Sequence, residues 1–334
     1  MRMRLLTSAA LLVAATACGG GDTTTAPVIA IDGSSTVFPI SQAVAEEFSA
    51  ANPGKPVTVG FSGTSGGMKK FCRNEIAIAD ASRPISTSEV EACAQANIGY
   101  IELPVAYDGL AVVVNPKNTW ASSMTVNELR TLWEPGAAGT ITRWNQIRPS
   151  WPDQEIHLFG AGIDSGTFDY FTEAIVGKAK MSRGDYTSSE NDNILVQGIS
   201  GDEYALGFMG LAYYEENRDK LKLVSIDDED SSNGDGPIQP SFETVRNGTY
   251  RPLSRPLLIY VTTASLERPE VVEFLNYYLN HTSQLAREVG YVSLTDNELA
   301  LVKKRFADRT TGSMFLDHAA QSTRTLESLL GGGQ

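Results

Sequence analysis

The chain has 334 residues, of which 42% are hydrophobic and 8% aromatic, and its formal net charge is −13. This length allows two ordinary domains or one large α/β unit. The negative charge argues against nucleic acid and anionic lipid headgroups as partners, but a small anion held by local hydrogen-bond donors stays compatible with it.

The first eighteen residues predict a lipoprotein signal peptide. Arg2 and Arg4 precede an apolar run, residues 5–15, that is too short to span a membrane and ends in small residues. The following Ala-Thr-Ala-Cys-Gly resembles the lipobox of bacterial lipoproteins, in which Cys18 would be acylated and become the mature amino terminus. The alternative is that Cys18 is trimmed near an ordinary cleavage site, because an alanine stands where the lipobox prefers leucine. Residues 19–27 then predict a flexible tether.

Two further cysteines, Cys72 and Cys93, are expected to form a disulfide bond. An exported compartment allows the bond, and it would stabilise the fold by a few kcal/mol, chiefly by restricting the unfolded chain. A catalytic thiol is the less favoured alternative, because His157, His281 and His318 are all distant from both cysteines in sequence. The scarcity of histidine also argues against a zinc site.

Short apolar runs alternate with helical patterns along the rest of the chain. The runs that predict strands are residues 28–31, 57–61, 76–79, 110–114, 156–159, 223–226 and 257–261. An amphipathic helix is predicted by the spacing of Ile40, Ala43, Val44 and Phe48. Capping-box patterns predict that further helices begin after Ser86, Thr125 and Thr295. This alternation predicts an α/β fold with open, largely parallel sheets.

Three loops rich in glycine, serine and threonine each follow a predicted strand and precede a helical pattern. They are residues 33–36, 62–67 and 164–167. Ligands of open α/β sheets bind at such loops, beyond the carboxyl ends of the strands. Hydroxyl groups, backbone N–H groups beside glycine and helix amino termini all suit a buried oxyanion, whose oxygens need many donors. Together the loops predict an oxyanion cage, although a single serine or threonine before a helix is more commonly an N-cap.

The order of these motifs resembles that of the periplasmic phosphate-binding proteins of phosphate ABC importers, the PstS/SphX-like family. The matching stretches are residues 33–39, 63–67, 81–84, 107–116, 164–168 and 197–214. The resemblance implies a type II periplasmic-binding-protein fold of two lobes, each an open mixed sheet flanked by helices. The ligand would lie in the cleft between the lobes. Applied to this chain, residues 28–105 and 257–334 would form the first lobe and residues 106–256 the second, with crossovers near 105–110 and 255–260.

The function that the resemblance implies is capture of inorganic phosphate and its delivery to the permease subunits and ATPase of an ABC importer. The protein would be exported to the periplasm or cell surface, lipid-anchored and monomeric, with no cofactor, metal or catalytic residue. One alternative is a binding protein for sulfate, molybdate or a phosphonate, and another is a sensor of phosphate. A phosphatase-type enzyme is less favoured, because it would need a metal cluster or an activated nucleophile.

The resemblance also implies which residues contact the ligand. Those carried over by position are Thr36, Val37, Thr64, Ser165, Gly166 and Thr167. Thr36 and Thr64 would donate hydroxyls, Val37 would donate its backbone N–H, and the other three would cap the ligand from the second lobe. Ser82 is a further predicted contact, and Ser35 and Ser65 are secondary candidates.

Two positions depart from the family pattern. Ser82 stands where the best-understood members carry an aspartate that accepts the proton of monohydrogen phosphate, and Ala161 stands where they carry an arginine. We hypothesise that Arg83 supplies the guanidinium, which suits bidentate binding of an oxyanion. Asp164 or Asp108 would then accept the ligand's proton. The alternatives are a helix-end cap for Asp164, a hinge contact for Asp108 and a surface position for Arg83.

Overall fold

The computed structural model describes residues 29–163, 165–189, 191–231, 236–315 and 325–331, which form an α/β fold. The strands are β1 (Ile29–Gly33), β2 (Val57–Val59), β3 (Ile78–Ala81), β4 (Tyr100–Val114), β5 (Ser123–Thr125), β6 (His157–Ala161), β7 (Thr187–Ser189), β8 (Ala205–Gly210), β9 (Lys222–Leu223), β10 (Ser225–Asp227), β11 (Ser254–Thr262) and β12 (Val292–Ser293). The helices are α1 (Phe38–Ala51), α2 (Thr64–Phe71), α3 (Thr87–Gln95), α4 (Val126–Trp133), α5 (Gly166–Val176), α6 (Asp192–Gly201), α7 (Leu211–Glu216), α8 (Phe242–Arg246), α9 (Pro269–Glu288), α10 (Asp296–Ala307) and α11 (Leu326–Gly331). The predicted signal peptide, tether and Cys18 lie outside the described residues.

One curled sheet runs through the molecule in the order β2-β1-β3-β11-β4-β8-β6-β7, and β9 and β12 also pair with β4. We call the part built on β1, β2 and β3 the first lobe, and the part built on β6, β7 and β8 the second lobe. Pairing within each of these two sets is parallel where strands adjoin, but β11 runs antiparallel to β3 and β4, and β4 runs antiparallel to β8. The mixed sheet that the family resemblance implied is therefore confirmed. The parallel pairing predicted from the alternation of strands and helices holds within each set, and antiparallel pairing joins the sets because the chain passes between the lobes in both directions.

The strand β4 belongs to both lobes. It has 15 residues, all of them buried. Its pairing with β11 reaches Gly109, and its pairing with β8 begins at Leu110. The predicted crossover at 105–110 falls within β4 and the one at 255–260 falls within β11, whereas the residue boundaries of the two lobes stay a prediction.

Local sequence patterns predicted the helices well. The amphipathic helix is α1, in which Ile40, Val44 and Phe48 are buried. All three capping boxes form, with hydrogen bonds in both directions at the starts of α3, α4 and α10. The single strand predicted at 223–226 is wrong, because Val224 separates β9, which pairs with β4, from β10, which pairs with β5. The apolar run alone does not indicate that its two halves pair with different strands.

The predicted disulfide bond between Cys72 and Cys93 is confirmed. It joins the carboxyl end of α2 to α3, with the two Cα atoms 4.4 Å apart. None of the helices in the described part of the chain combines the length and apolarity that a membrane span requires.

Candidate functional site

The three loops predicted to bind an oxyanion face one another, and two glycines bring them close. A Cβ atom on Gly67 would lie 2.5 Å from the Cα atom of Gly33, so α2 approaches the end of β1 more closely than a side chain would allow. A Cβ atom on Gly166 would lie 3.0 Å from the Cα atom of Thr36 and 3.1 Å from its Oγ1 atom. The amino terminus of α5, in the second lobe, therefore packs directly against the β1–α1 loop of the first lobe.

A cavity of about 200 Å³ lies between these loops. Its lining residues are Ser34, Ser35, Thr36, Ser62, Gly63, Thr64, Ser65, Gly66, Ser82, Arg83, Asp169, Tyr170, Glu173, Ala179 and Arg255. Six of these were predicted as ligand contacts or secondary candidates, namely Ser35, Thr36, Thr64, Ser65, Ser82 and Arg83. The lining is rich in hydroxyl groups, as an oxyanion site requires.

The hydroxyl groups of the first lobe are held in place by local hydrogen bonds. The backbone N–H of Ser82 donates to Thr64 Oγ1 over 3.2 Å, and the two side-chain oxygens lie 3.3 Å apart. The backbone N–H of Thr36 donates to Ser34 Oγ over 3.2 Å, and Thr36 itself is buried. The packing of both loops thus fixes these hydroxyls before any ligand binds.

Helix amino termini supply the backbone donors. No side chain among the described residues caps α1, whose N-cap residue is Val37, or α2, whose N-cap residue is Gly63. The first N–H groups of a helix have no partner within the helix and carry its positive end. In α5 the cap is Ser165, whose hydroxyl accepts from the backbone N–H of Thr167 over 3.2 Å. In α1 the Phe38 N–H already donates to the Ser34 carbonyl and Pro39 has no N–H, so α2, whose first residues line the cavity, is the helix amino terminus that best suits a negatively charged ligand.

The second lobe lines the cavity with residues of α5 that follow the predicted motif, namely Asp169 in its first turn and Tyr170 and Glu173 beyond it. The predicted contacts Val37, Ser165, Gly166 and Thr167 are not among the lining residues. Ala161, which stands where the best-understood family members carry an arginine, is buried at the end of β6 and offers no side-chain donor.

Arg83 lines the cavity, but protein groups engage most of its donors. Its guanidinium makes a bidentate pair with Glu89 at 2.8 and 2.9 Å, and it donates to Ser65 Oγ at 2.9 Å and to the carbonyl of Pro84 at 3.0 Å. The bonds to Glu89 raise the pKa of Arg83. Burial raises the pKa of Glu89, but the bonds from Arg83 and from the backbone N–H of Ser86 outweigh it and leave that pKa lowered.

A second arginine, Arg255 at the start of β11, was missed by the sequence reasoning. One of its terminal nitrogens donates to Thr36 Oγ1 over 3.0 Å and lies 3.4 Å from Asp108 Oδ2, and the other lies 3.6 Å from Glu173 Oε2. The guanidinium carbon lies 3.5 Å from the ring centroid of Tyr170. The sequence signal for a role of Arg255 in the site was a charged residue at the start of a largely apolar predicted strand. The sequence did not indicate that folding brings this residue next to the loops.

Asp108 and Asp169 differ in their relation to the cavity. Asp108 is buried behind Arg255 and is not a lining residue; burial raises its pKa and Arg255 opposes that rise. Asp169 lines the cavity, accepts from Ser35 Oγ over 3.4 Å, and lies 3.8 Å from the Lys180 ammonium. Burial raises the pKa of Asp169, and Lys180 opposes that rise. Asp164 lies outside the described residues.

The site carries hydrogen-bond donors and charge rather than metal ligands. Within the ranges that the structure describes, no group of three or more His, Cys, Asp and Glu side chains is arranged to hold a metal ion. The residues that line the cavity include neither histidine nor cysteine. What the arrangement offers chemically is a pocket that holds a small anion through hydroxyls, helix amino termini and guanidinium groups.

Comparisons with known proteins agree with this geometry. Residues 19–282 match a family model described as a PBP superfamily domain. The chain is 50% identical over 292 residues to the protein SphX of Synechocystis sp., which covers 87% of this chain and 85% of that protein. It is 31% identical over 280 residues to the phosphate-binding protein PstS of Staphylococcus saprophyticus, which covers 83% of each. The crystal structure of a possible phosphate binding protein from Planctomyces limnophilus is 49% identical, with a TM-score of 0.81 over 85% of this chain and 99% of that one.

Proposed function

Because the chain belongs to the PBP superfamily and, within it, to the family of the SphX and PstS proteins, we propose that it binds inorganic phosphate and delivers it to an ABC importer. The observation that carries the proposal is the cavity of about 200 Å³ where the amino terminus of α2 and a set of hydroxyl groups of the first lobe face residues of α5. A buried oxyanion needs this density of donors, since each unpaired oxygen would cost free energy.

The proposed ligand shell combines residues of both lobes. Thr36, Thr64 and Ser82 donate hydroxyl hydrogen bonds from the first lobe, and Val37 donates its backbone N–H at the start of α1. The first turn of α5, residues 165–167, caps the anion from the second lobe. The close approach of Gly166 to Thr36 supports a closed form of the cleft as the binding form.

A carboxylate that accepts the proton of monohydrogen phosphate gives selectivity against sulfate, which has no proton near neutral pH. Asp169 supports this role better than Asp108, because Asp169 lines the cavity and its Oδ1 atom has no hydrogen-bond partner among the described residues. Asp108 lies behind Arg255 and is enclosed by protein. We therefore propose Asp169 as the acceptor.

Binding without catalysis is the proposed activity, because the lining residues include no histidine or cysteine that could activate a nucleophile. The proposal includes export and acylation of Cys18, a monomeric state, and membrane partners consisting of permease subunits and an ATPase. Sulfate or molybdate is the rival ligand, since the same hydroxyls serve any tetrahedral oxyanion and only the carboxylate distinguishes them.

Calorimetric titration of the signal-free, phosphate-stripped protein tests the proposal, with phosphate, sulfate and molybdate as separate ligands. We expect one phosphate per chain and no sulfate binding, and Thr36→Val should weaken phosphate binding by roughly tenfold through loss of one hydrogen bond. Thr131→Val is the matched control, because Thr131 is exposed on α4 and bonds only its own helix. Tight sulfate binding would reassign the ligand, and no binding of any oxyanion would overturn the proposal.

A further inference from the structure

We propose that Arg255, rather than Arg83, is the main cationic partner of the bound oxyanion, and that it couples anion capture to closure of the lobes. This inference rests on the proposed function, because it names the side chain that binds the ligand in the same cavity. Neither the motifs of the three loops nor the family resemblance assigns a role to this strand position.

The two arginines differ in the number of N–H donors that remain free. A guanidinium group carries five N–H donors. Arg83 uses its terminal nitrogens in four hydrogen bonds of 2.8 to 3.0 Å. Arg255 makes one bond of 3.0 Å to Thr36 and one long bond of 3.4 Å, and its Nε atom has no partner among the described residues. Arg255 therefore keeps more capacity to bind an added anion.

The buried guanidinium of Arg255 has no anionic partner closer than 3.4 Å among the described residues. The Arg255 side chain is only 11% exposed, and its nearest carboxylate, Asp108, is 3% exposed and 3.4 Å away. The contact to Glu173, which is half exposed, is longer still at 3.6 Å. A buried cation is stable only with close, hydrogen-bonded anionic partners. An oxyanion in the adjacent cavity supplies that partner, whereas Arg83 already has one in Glu89.

Arg255 lies between the two lobes and contacts both. It lies on β11, which crosses from one lobe to the other, and its guanidinium contacts Thr36 in the first lobe. On the other side it stacks on Tyr170 and faces Glu173, both in α5 of the second lobe. Moving α5 away would remove the aromatic face and the second carboxylate together. Arg255 has its full set of partners only when the cleft is closed, so an anion bound to it favours closure.

Titration calorimetry of phosphate against the signal-free, phosphate-stripped protein and four variants tests the inference. The variants are Arg255→Gln, Arg255→Lys, Arg83→Gln and Arg218→Gln. Arg218 is the matched control for loss of one positive charge, because its side chain is 74% exposed and is not among the lining residues. Thermal unfolding without phosphate, followed for each variant, reports whether it folds.

We expect Arg255→Gln to raise the Kd for phosphate by roughly 100-fold, because a hydrogen-bonded charge is lost from a buried site. Arg83→Gln should raise it by less than about tenfold, and Arg218→Gln should leave it unchanged. Arg255→Lys keeps the charge without the planar fork and should raise the Kd by about tenfold, so it provides the test if the glutamine variant fails to fold.

An unchanged Kd in a folded Arg255→Gln or Arg255→Lys variant would overturn the inference and leave phosphate binding itself intact. A larger loss in Arg83→Gln than in Arg255→Gln would overturn it too, since Arg83 would then be the main partner. Failure of the wild-type protein to bind phosphate would overturn the proposed function, and the inference with it. These outcomes separate the failure of one proposal from the failure of the other.

Discussion

Arg83 and Arg255 line the same cavity but belong to different kinds of structure. Arg83 follows β3 and pairs with a carboxylate six residues along the chain, in a capping box that a local sequence pattern specifies. Arg255 lies on a strand between the lobes, and its partners Asp108 and Thr36 are 147 and 219 residues away in sequence. The difference shows that a pair between residues close in sequence fixes the Arg83 side chain before a ligand binds. The long-range contacts of Arg255 leave N–H donors free for a ligand, and they depend on the relative position of the two lobes.

Gly166→Val is the substitution with the largest expected effect on phosphate binding, and it tests whether Arg255 and Arg83 differ in their dependence on closure. A side chain at Gly166 would meet the backbone of Thr36 and hold α5 away from the first lobe, so we expect phosphate binding to weaken by roughly 100-fold. In that background, Arg255→Gln should cause little further loss, while Arg83→Gln should cause the same loss as in the wild-type protein. A calorimetric double-mutant cycle measures both couplings.

Gly136→Val is the control for this cycle, because a Cβ atom there would have no neighbour within 4 Å among the described residues. Additive effects of Gly166→Val and Arg255→Gln would contradict the link between Arg255 and closure.

Removal of the disulfide bond should lower the unfolding free energy and leave the affinity for phosphate nearly unchanged. The bond joins α2 to α3, the two helices that hold Ser65 and Glu89 against Arg83. The Cys72→Ser/Cys93→Ser double variant should lose about 3 kcal/mol of unfolding free energy, measured by urea denaturation. Its Kd for phosphate should change by less than about threefold if Arg255 dominates. A folded double variant that loses phosphate binding would show that the Arg83 side of the cavity matters more.

A buried carboxyl beneath the first lobe's loops should make stability depend on pH. Burial raises the pKa of Asp80 to about 8 from an ordinary value of 3.8, although a hydrogen bond from Ser41 opposes the rise. The folded protein thus keeps a proton that the unfolded chain releases, so this group lowers the unfolding free energy progressively as pH rises from about 4 to 8. Asp80→Asn should raise Tm by a few degrees at pH 8 and leave it nearly unchanged at pH 4.

Differential scanning calorimetry at both pH values measures this effect, with Asp153→Asn as the control, because the Asp153 side chain is 69% exposed. A Tm difference of equal size at the two pH values would contradict the burial of an ionisable Asp80. Phosphate affinity at pH 7 should stay close to wild type, because Asp80 does not line the cavity.

Glu89→Gln should have the smallest effect and tests how firmly Arg83 is held. The pair is partly solvent-exposed, so its loss should cost less than about 1 kcal/mol of unfolding free energy. Because the folded pKa of Glu89 is lowered, this stability is present above pH 4.5 and is lost as pH falls further. Phosphate binding should strengthen by about twofold as Arg83 donors become free. A large gain would indicate that Arg83 competes with Arg255 for the anion.

Those parts of the site that depend on local patterns were predictable from the sequence. The capping boxes, the helix α1 and the Gly/Ser/Thr loops all rest on residues a few positions apart, and the structure has them as expected. The pairing of Cys72 with Cys93 followed from compartment and cysteine count rather than from geometry.

The residues that the sequence reasoning missed depend on long-range geometry. Arg255 enters the site because β11 pairs with both β3 and β4, and no short window of sequence encodes that pairing. Asp169 lines the cavity because α5 presents residues that follow the Ser-Gly-Thr motif to the first lobe, which the motif alone does not indicate. The sequence prediction for Arg83 did not include its pairing with Glu89, which the capping box places beside it, and the guanidinium role stays a prediction.

A crystal structure of the wild-type protein with bound phosphate tests the central claim most directly. We predict one phosphate in the cavity between the β1–α1 loop and α5, with a terminal nitrogen of Arg255 within about 3.2 Å of a phosphate oxygen and the Arg83–Glu89 pair intact. A phosphate held by Arg83, with Glu89 displaced and Arg255 still facing only Asp108 and Thr36, would contradict the account.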